Sequence, residues 1–190
     1  MISITGGKRR LPALFFATLL LLITTGTTIR AENTPPSRIS LLSNREYAGA
    51  LIRGIKSARS TIVCSFYLFK TGKGRYNLPR RIADELIMAR RRGVSVTVIL
   101  ERNPDHADLL NDDNLRTASF LTKGGVRVLF DSPSRTSHEK VVVIDKRHVY
   151  LGSHNLTQAA LQHNNELSVL IDSPEIAEKA LSFLEGENKK

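Results

Sequence analysis

Apolar positions along the chain switch repeatedly between a period of two and a period near 3.6, and the switching predicts alternating strands and helices. A short apolar run at 38–42 suits a strand, and 46–56 places Tyr47, Ala50, Leu51, Gly54 and Ile55 on one helical face. Residues 61–69 (TIVCSFYLF) are β-branched and aromatic, which suits a buried strand. A helix follows from 77 or 78 to 92: Pro79 is tolerated in its first turn, Ile82, Leu86 and Ala89 share a face, and Gly93 stops it. Strands at 94–100 and 126–130 flank a helix over 108–123 that Gly124 and Gly125 end. Residues 141–144 and 149–151 form a strand pair around the turn Asp145-Lys146-Arg147. Residues 166–171 form a last strand, and 174–184 a closing helix with Ile176, Ala177, Ala180, Leu181 and Leu184 as its apolar positions. This alternation implies an α/β fold with a mixed β-sheet flanked by helices on both faces.

Upstream of these elements the pattern changes. Lys8-Arg9-Arg10 precede an apolar core at 11–23 (LPALFFATLLLLI), and the small, polar stretch TTGTTIRA follows to Ala31, in the order of an export signal. The core is 13 residues long, short of the ~20 that a spanning helix needs. Cleavage after Ala31 is the preferred reading, giving an exported protein, periplasmic or secreted. Only the last position of Ile29-Arg30-Ala31 is small, so an uncleaved N-terminal membrane anchor stands as the alternative. Residues 32–37, with Pro35 and Pro36, read as an extended linker, and 38–190 as one domain long enough for a hydrophobic core.

Composition adds a direction. The formal charge is +10, and removing Lys8, Arg9, Arg10 and Arg30 of the leader, which holds no acid, leaves +6. A basic surface favours polyanions or anionic membranes without choosing between them. The 41% hydrophobic content, with no repeat or low-complexity tract, excludes disorder as the main state. The single cysteine, Cys64, has no partner for an internal disulfide and sits in an apolar run, where a thiol acts as a small hydrophobe.

Candidate chemistry concentrates at 138–166. His138 and Lys140, two apart at the entry of a strand, project from one face of the sheet. A neutral imidazole can attack phosphorus, and an ammonium neutralises the charge that gathers on the non-bridging oxygens. Asn155 adds an amide donor, Ser153 a hydroxyl, and Gly152 permits close backbone approach. Together they suit an anion-binding cradle. A metal site drawn from His138, Asp145, His148, His154, His163 and Glu166 is a competing reading, but its spacing matches no recognised ligand pattern and Lys140 would sit against the ion. Asn155-Leu-Thr157 also has the form of a glycosylation acceptor. Lys70-Thr-Gly-Lys-Gly-Arg75 lacks the spacing of a phosphate loop, and Asp105-His106 reads as part of a polar loop and helix start. Arg80-Arg81 and Arg90-Arg91-Arg92 at the two ends of one helix read as a solvated face, with a substrate track as the alternative.

The run His138-x-Lys140-x4-Asp145-x6-Gly152-Ser153-x-Asn155 resembles the HKD motif of the phospholipase D superfamily, and the chain from Arg38 onward resembles its small single-motif members, the Nuc-type endonucleases. The resemblance implies a phospholipase D-like fold and a phosphodiesterase, with no cofactor or metal, that works through a covalent phosphohistidine. By that resemblance His138 is the nucleophile, and Lys140 and Asn155 hold the phosphate with Ser153 in support. Asp145 and Gly152 are structural, and Glu166 hydrogen-bonds and orients the imidazole. The family needs two such motifs per site, so a single copy implies a homodimer with the active site at its interface. Nucleic acid is the expected substrate, with phospholipid as the alternative; a non-catalytic nucleic-acid- or membrane-binding module is a third reading. The absence of tryptophan disfavours deep insertion into a bilayer interface.

Overall fold

The computed structural model describes residues 37–74, 76–102, 109–131 and 135–187. Among them, seven strands form one mixed sheet: β1 (Arg38–Ser43), β2 (Thr61–Phe66), β3 (Ser95–Leu100), β4 (Arg127–Phe130), β5 (Lys140–Ile144), β6 (His148–Gly152) and β7 (Leu167–Asp172). Their order across the sheet is β1-β7-β6-β5-β2-β3-β4. The β2-β3-β4 half is parallel, and β1, β7, β6 and β5 each run antiparallel to their neighbours, with β5 antiparallel to β2. The connecting helices are α1 (Glu46–Ser57), α2 (Leu78–Arg91), α3 (Leu109–Lys123), α4 (Gln158–Gln162) and α5 (Pro174–Glu187).

Strand alternation divides the sheet into two unequally covered faces. Ile62, Cys64 and Phe66 of β2, Val142 and Ile144 of β5, and Tyr150 of β6 face α1, α2, α3 and α4 in the main core. Val141, Val143 and Val149 face the other way, onto Ala177 and Leu184 of α5. Among the described residues one helix thus covers a face that spans seven strands. Cys64 is 1% exposed, and burial pushes its thiol up to about 12.

The helix boundaries have local causes. Asn77 caps α2 by accepting from the N–H of Arg80 at 2.9 Å, Pro79 occupies the first turn, and Gly93 ends the helix at φ +94°, a conformation that favours glycine. The expected strand at 61–69 stops at Phe66. Beyond it the chain leaves the ladder, and Phe69 makes only an isolated bridge with Leu156. The five-residue α4 was not visible in the hydrophobic pattern, being too short to show a helical period; the Thr157 hydroxyl caps it by accepting from Ala160 N–H at 3.1 Å. The leader at 1–31, linker residues 32–36 and the pair Asp105-His106 lie outside the described residues.

The β5–β6 turn is fastened to the entry of β2. Asp145 and Lys146 sit at φ 52° and 53°, left-handed values that suit a tight hairpin. The Asp145 carboxylate accepts from the N–H groups of Arg59 (2.9 Å), Ser60 (2.8 Å) and Thr61 (3.0 Å), and from the Ser60 hydroxyl (2.9 Å). Burial works to raise its pKa, but the donors outweigh it and hold the carboxyl below its ordinary value. Hydrogen bonds to a charged acceptor contribute about 1.5–3 kcal/mol each, so Asp145→Asn is expected to cost at least about 2 kcal/mol at pH 7 in urea denaturation. A depressed native pKa lends stability above the unfolded value and loses it as pH falls through the native one. The gap between wild type and variant should therefore narrow as pH drops below ~4.

Candidate active site

Strand register gathers the motif at one end of the sheet. Lys140, the first residue of β5, pairs with Phe66, the last of β2, and the next β5 residue, Val141, pairs with Leu151 of β6. Gly152, which ends β6, pairs with Ser168 near the start of β7. Lys140, Ser153 and Glu166 consequently emerge on neighbouring strands at the same end, although up to 26 residues separate them.

His138 and Lys140 form one half of the cluster. The buried Lys140 ammonium donates to His138 O at 2.6 Å and lies 3.2 Å from His138 Nδ1. An ammonium has no lone pair, so Nδ1 accepts and the neutral ring carries its proton on Nε2. The third ammonium hydrogen has no partner among the described residues. Burial holds the Lys140 pKa below its ordinary value, against the opposing charges of Glu139 and Glu166. Tyr67, just beyond β2, lies under both groups: its ring centroid is 4.5 Å from that of His138 and 5.1 Å from Lys140 Nζ.

Ser153 and Glu166 form the other half. The Ser153 hydroxyl donates to Glu166 Oε2 at 2.5 Å and accepts from Leu167 N–H at 3.0 Å, while Asn164 Nδ2 donates to Glu166 Oε1 at 3.1 Å. Asn44 holds the backbone of Glu166 from both sides: its Oδ1 accepts from Glu166 N–H and its N–H donates to Glu166 O, both at 2.9 Å. His154 holds Asn44 in turn. It is fully buried, stacked on Tyr47 at 4.4 Å, donates from Nε2 to Asn44 O at 2.9 Å, and accepts at Nδ1 from the Ser168 hydroxyl at 2.7 Å. Burial, the larger influence, lowers its pKa and keeps it neutral in this framework role.

The expected residues thus converge, with one difference of detail. Glu166 makes no hydrogen bond to His138 among the described residues; its carboxylate is engaged by Ser153 and Asn164, and its charge is felt at Lys140. Asn155 is half-buried and its Oδ1 has no partner among the described residues, an orphaned amide oxygen two residues beyond Ser153. His148 and Asp145 lie at the opposite end of β5 and β6, separated from His138 by the length of the strands. Lys70 is paired with Asp113 at 2.9 Å. Tyr67 and Asn44 were not singled out in the sequence as site residues, and His154 was singled out only as a ligand of the competing metal site. The buried Asn114 was also missed: it accepts from Phe69 N–H and donates to Tyr67 O and Glu101 O, all at 2.9 Å, fixing the chain beneath His138.

An imidazole, an ammonium with a free donor, a hydroxyl and the Asn155 amide, set at one end of a mixed α/β sheet, are the arrangement expected of the phospholipase D-like class. The family described as "Cardiolipin synthase, PLD-like domain" matches residues 51–186, and the chain belongs to it. It is similar to cardiolipin synthase A of Pseudomonas syringae, 30% identical over 122 residues, which are 61% of this chain and 24% of that protein. It is also similar to the phospholipase D of Rickettsia conorii, 34% identical over 100 residues, 53% of this chain and 47% of that protein. The chain thus spans about a quarter and about half, respectively, of these relatives. Among solved structures, Nuc from Salmonella typhimurium, a phospholipase D family member, shares the fold with a TM-score of 0.67 and 23% identity, over 80% of this chain and 94% of that one. NucT from Helicobacter pylori matches with a TM-score of 0.63 and 25% identity, over 80% and 96%.

Gly152 lets β6 and β7 close up beside Ser153. A methyl group there would lie 2.4 Å from Ser168 Cα and 2.6 Å from Leu167 O, backbone atoms that cannot rotate away. Gly152→Ala should lower stability by about 1–3 kcal/mol in thermal or urea melts, the usual cost of overpacking, and should abolish turnover by displacing Ser153.

Proposed function

We propose that the chain is a phosphodiesterase acting through a phosphohistidine on His138, with nucleic acid as its substrate. The convergence of His138, Lys140, Ser153 and Asn155 at one sheet end carries the catalytic part of this reading. Lys140 turns from Nδ1 of His138 to the phosphate oxygens, and Glu166 exchanges Ser153 for the imidazole, placing the ring proton on Nδ1. Nε2 then attacks phosphorus and the P–O bond to the leaving group breaks. The imidazolium of His138 of the partner subunit protonates the departing oxygen. The resulting neutral ring takes a proton from water, which attacks phosphorus and breaks the N–P bond.

Two observations support the assembly and the substrate. On the face covered by α5, register places Leu41, Val169 and Leu151 in one row, and Leu41 (63%), Leu151 (44%), Ile39 (67%) and Leu167 (54%) are exposed. This strip runs directly to Ser153 and Glu166, so a second copy seated on it would bring a second motif to the first, completing the site. On the opposite face, Arg45, Arg53, Lys56 and Arg81 line a groove of about 340 Å³; among the described residues Arg53 and Arg81 form no ion pair with a carboxylate, which suits a phosphate backbone. Phospholipid is the second reading, favoured by the names of the sequence relatives, cardiolipin synthase A and phospholipase D.

Residues 32–190 assayed in parallel on single-stranded DNA, RNA, duplex DNA and phosphatidylcholine should cleave a nucleic acid; turnover of the lipid alone would reverse the substrate assignment. His138→Asn should lower activity by at least about 10³-fold, the order expected when a nucleophile is lost, with activity unaffected by chelators. Refolded mixtures of wild type with His138→Asn test the shared site. Activity should fall as the square of the wild-type fraction, whereas a linear fall would show that one chain suffices. Leu151→Lys should shift sedimentation from dimer to monomer and remove activity with it.

A further inference from the structure

We propose that Glu101 and Asp131 share one proton and, through the N–H of Ser137, position His138, so that the readiness of the site depends on that proton. The inference rests on the phosphodiesterase reading above for its effect on turnover, and on geometry alone for the pair itself.

Glu101 follows β3 and Asp131 follows β4, and because Leu100 and Phe130 are paired in parallel register, the two carboxyl groups leave adjacent strands side by side. Both residues are buried, 5% and 8% exposed. Two ionised carboxylates side by side in a buried site repel each other, so the arrangement is favoured by a proton on one of them. Both also accept from one donor: Ser137 N–H lies 2.6 Å from Glu101 Oε2 and 3.2 Å from Asp131 Oδ2. Asp131 Oδ1 accepts from Arg102 N–H at 3.0 Å, and the backbone of Glu101 is tied to β2 by its N–H to Phe66 O and to α3 by Asn114. The pair is therefore fixed to the rigid sheet and holds the residue directly before His138.

The electrostatic surroundings fit a retained proton. Burial pushes the Glu101 carboxyl up to about 7, with the neighbouring Asp131 carboxyl adding to it and the Ser137 N–H opposing it. Among the described residues the charges that act on the pair are negative, and Arg102, next after Glu101, holds its guanidinium over the Phe130 ring. Glu139, from the entry to β5, adds its charge while its carboxylate accepts from the Ser65 hydroxyl at 2.9 Å, and α3 contributes the neutral amide of Asn114. Once the shared proton is lost, two carboxylates face each other in a buried site. Their separation would release Ser137 and, one residue on, the imidazole that rests on Tyr67. Protonation of this pair favours the held arrangement, so the site is firm at acid pH and loosens as pH rises through about 7.

The test uses the full domain and Glu101→Gln, a carboxamide that keeps shape and cannot ionise. Two-dimensional amide NMR from pH 5 to 9 should show the Ser137 N–H titrating with a midpoint near 7 in wild type and flat in Glu101→Gln. With bis(4-nitrophenyl) phosphate as a general phosphodiester probe, the alkaline fall in kcat should move upward by at least about one pH unit in the variant. A Ser137 amide that does not titrate in wild type, or an alkaline limb that Glu101→Gln leaves in place, would overturn the proposal. If Glu101→Gln does not fold, Asp131→Asn takes its place, with a Ser137 midpoint below that of wild type and the same upward move of the alkaline limb. A wild type that turns over no phosphodiester sinks the enzymatic reading, while the Ser137 and His138 resonances still decide the pair.

Discussion

The register of β5 between β2 and β6 decides whether the site exists, because side chains on a strand alternate with period two and a slip of one residue would turn every one of them over. In the observed register Lys140 stands beside Phe66, and Val142 and Ile144 fill the main core while Val141 and Val143 face α5. Apolar valines on both faces do not pin the register by themselves, since either face would accept them. What pins it is polar and lies at the far end of the strand: the carboxylate of Asp145, gripping three consecutive N–H groups at the entry of β2. A surface turn thus fixes the position of the Lys140 ammonium at the opposite end of the same strand.

Much of the fold was legible because it rests on local signals. The valine-rich runs at 94–100 and 141–144, the proline and glycine that bracket α2, and the turn at Asp145 each declare themselves within a few residues. The cluster around His138, Lys140, Ser153 and Asn155 was legible for a related reason: its spacing along two neighbouring strands is itself the geometry. The supports were not legible, because they arise from contacts that no local window contains. Asn114 reaches Tyr67 across 47 residues, and Asn44 reaches Glu166 across 122. His154 lies within the motif yet serves the framework, and only its burial against Tyr47 and its two hydrogen bonds reveal that. Glu166 shows the converse. Its neighbourhood could be foreseen, but its present partner, the Ser153 hydroxyl, depends on how closely β6 and β7 approach at Gly152.

The two faces of the sheet carry different burdens. The face under α1 to α4 is closed and holds most of the buried side chains, including the twelve largest that are almost wholly excluded from solvent. The face under α5 is incomplete, with leucines open toward the β1 edge and a second apolar groove of about 440 Å³ lined by Val63, Ile99, Leu129 and Leu184 on the β3–β4 side. This asymmetry separates stability from assembly: a change beneath α1 or α2 damages the domain itself, whereas a change on the open leucines alters only what the domain can meet.

Cys64 gives the closed face an internal clock. Its thiol sits in the middle of β2, between β3 and β5, and both solvent exclusion and a raised pKa suppress the thiolate that any electrophile needs. A thiol reagent can therefore reach it only when the central strands part. Its rate of modification counts the openings of the core in a chain that carries no other sulfhydryl to confuse the reading.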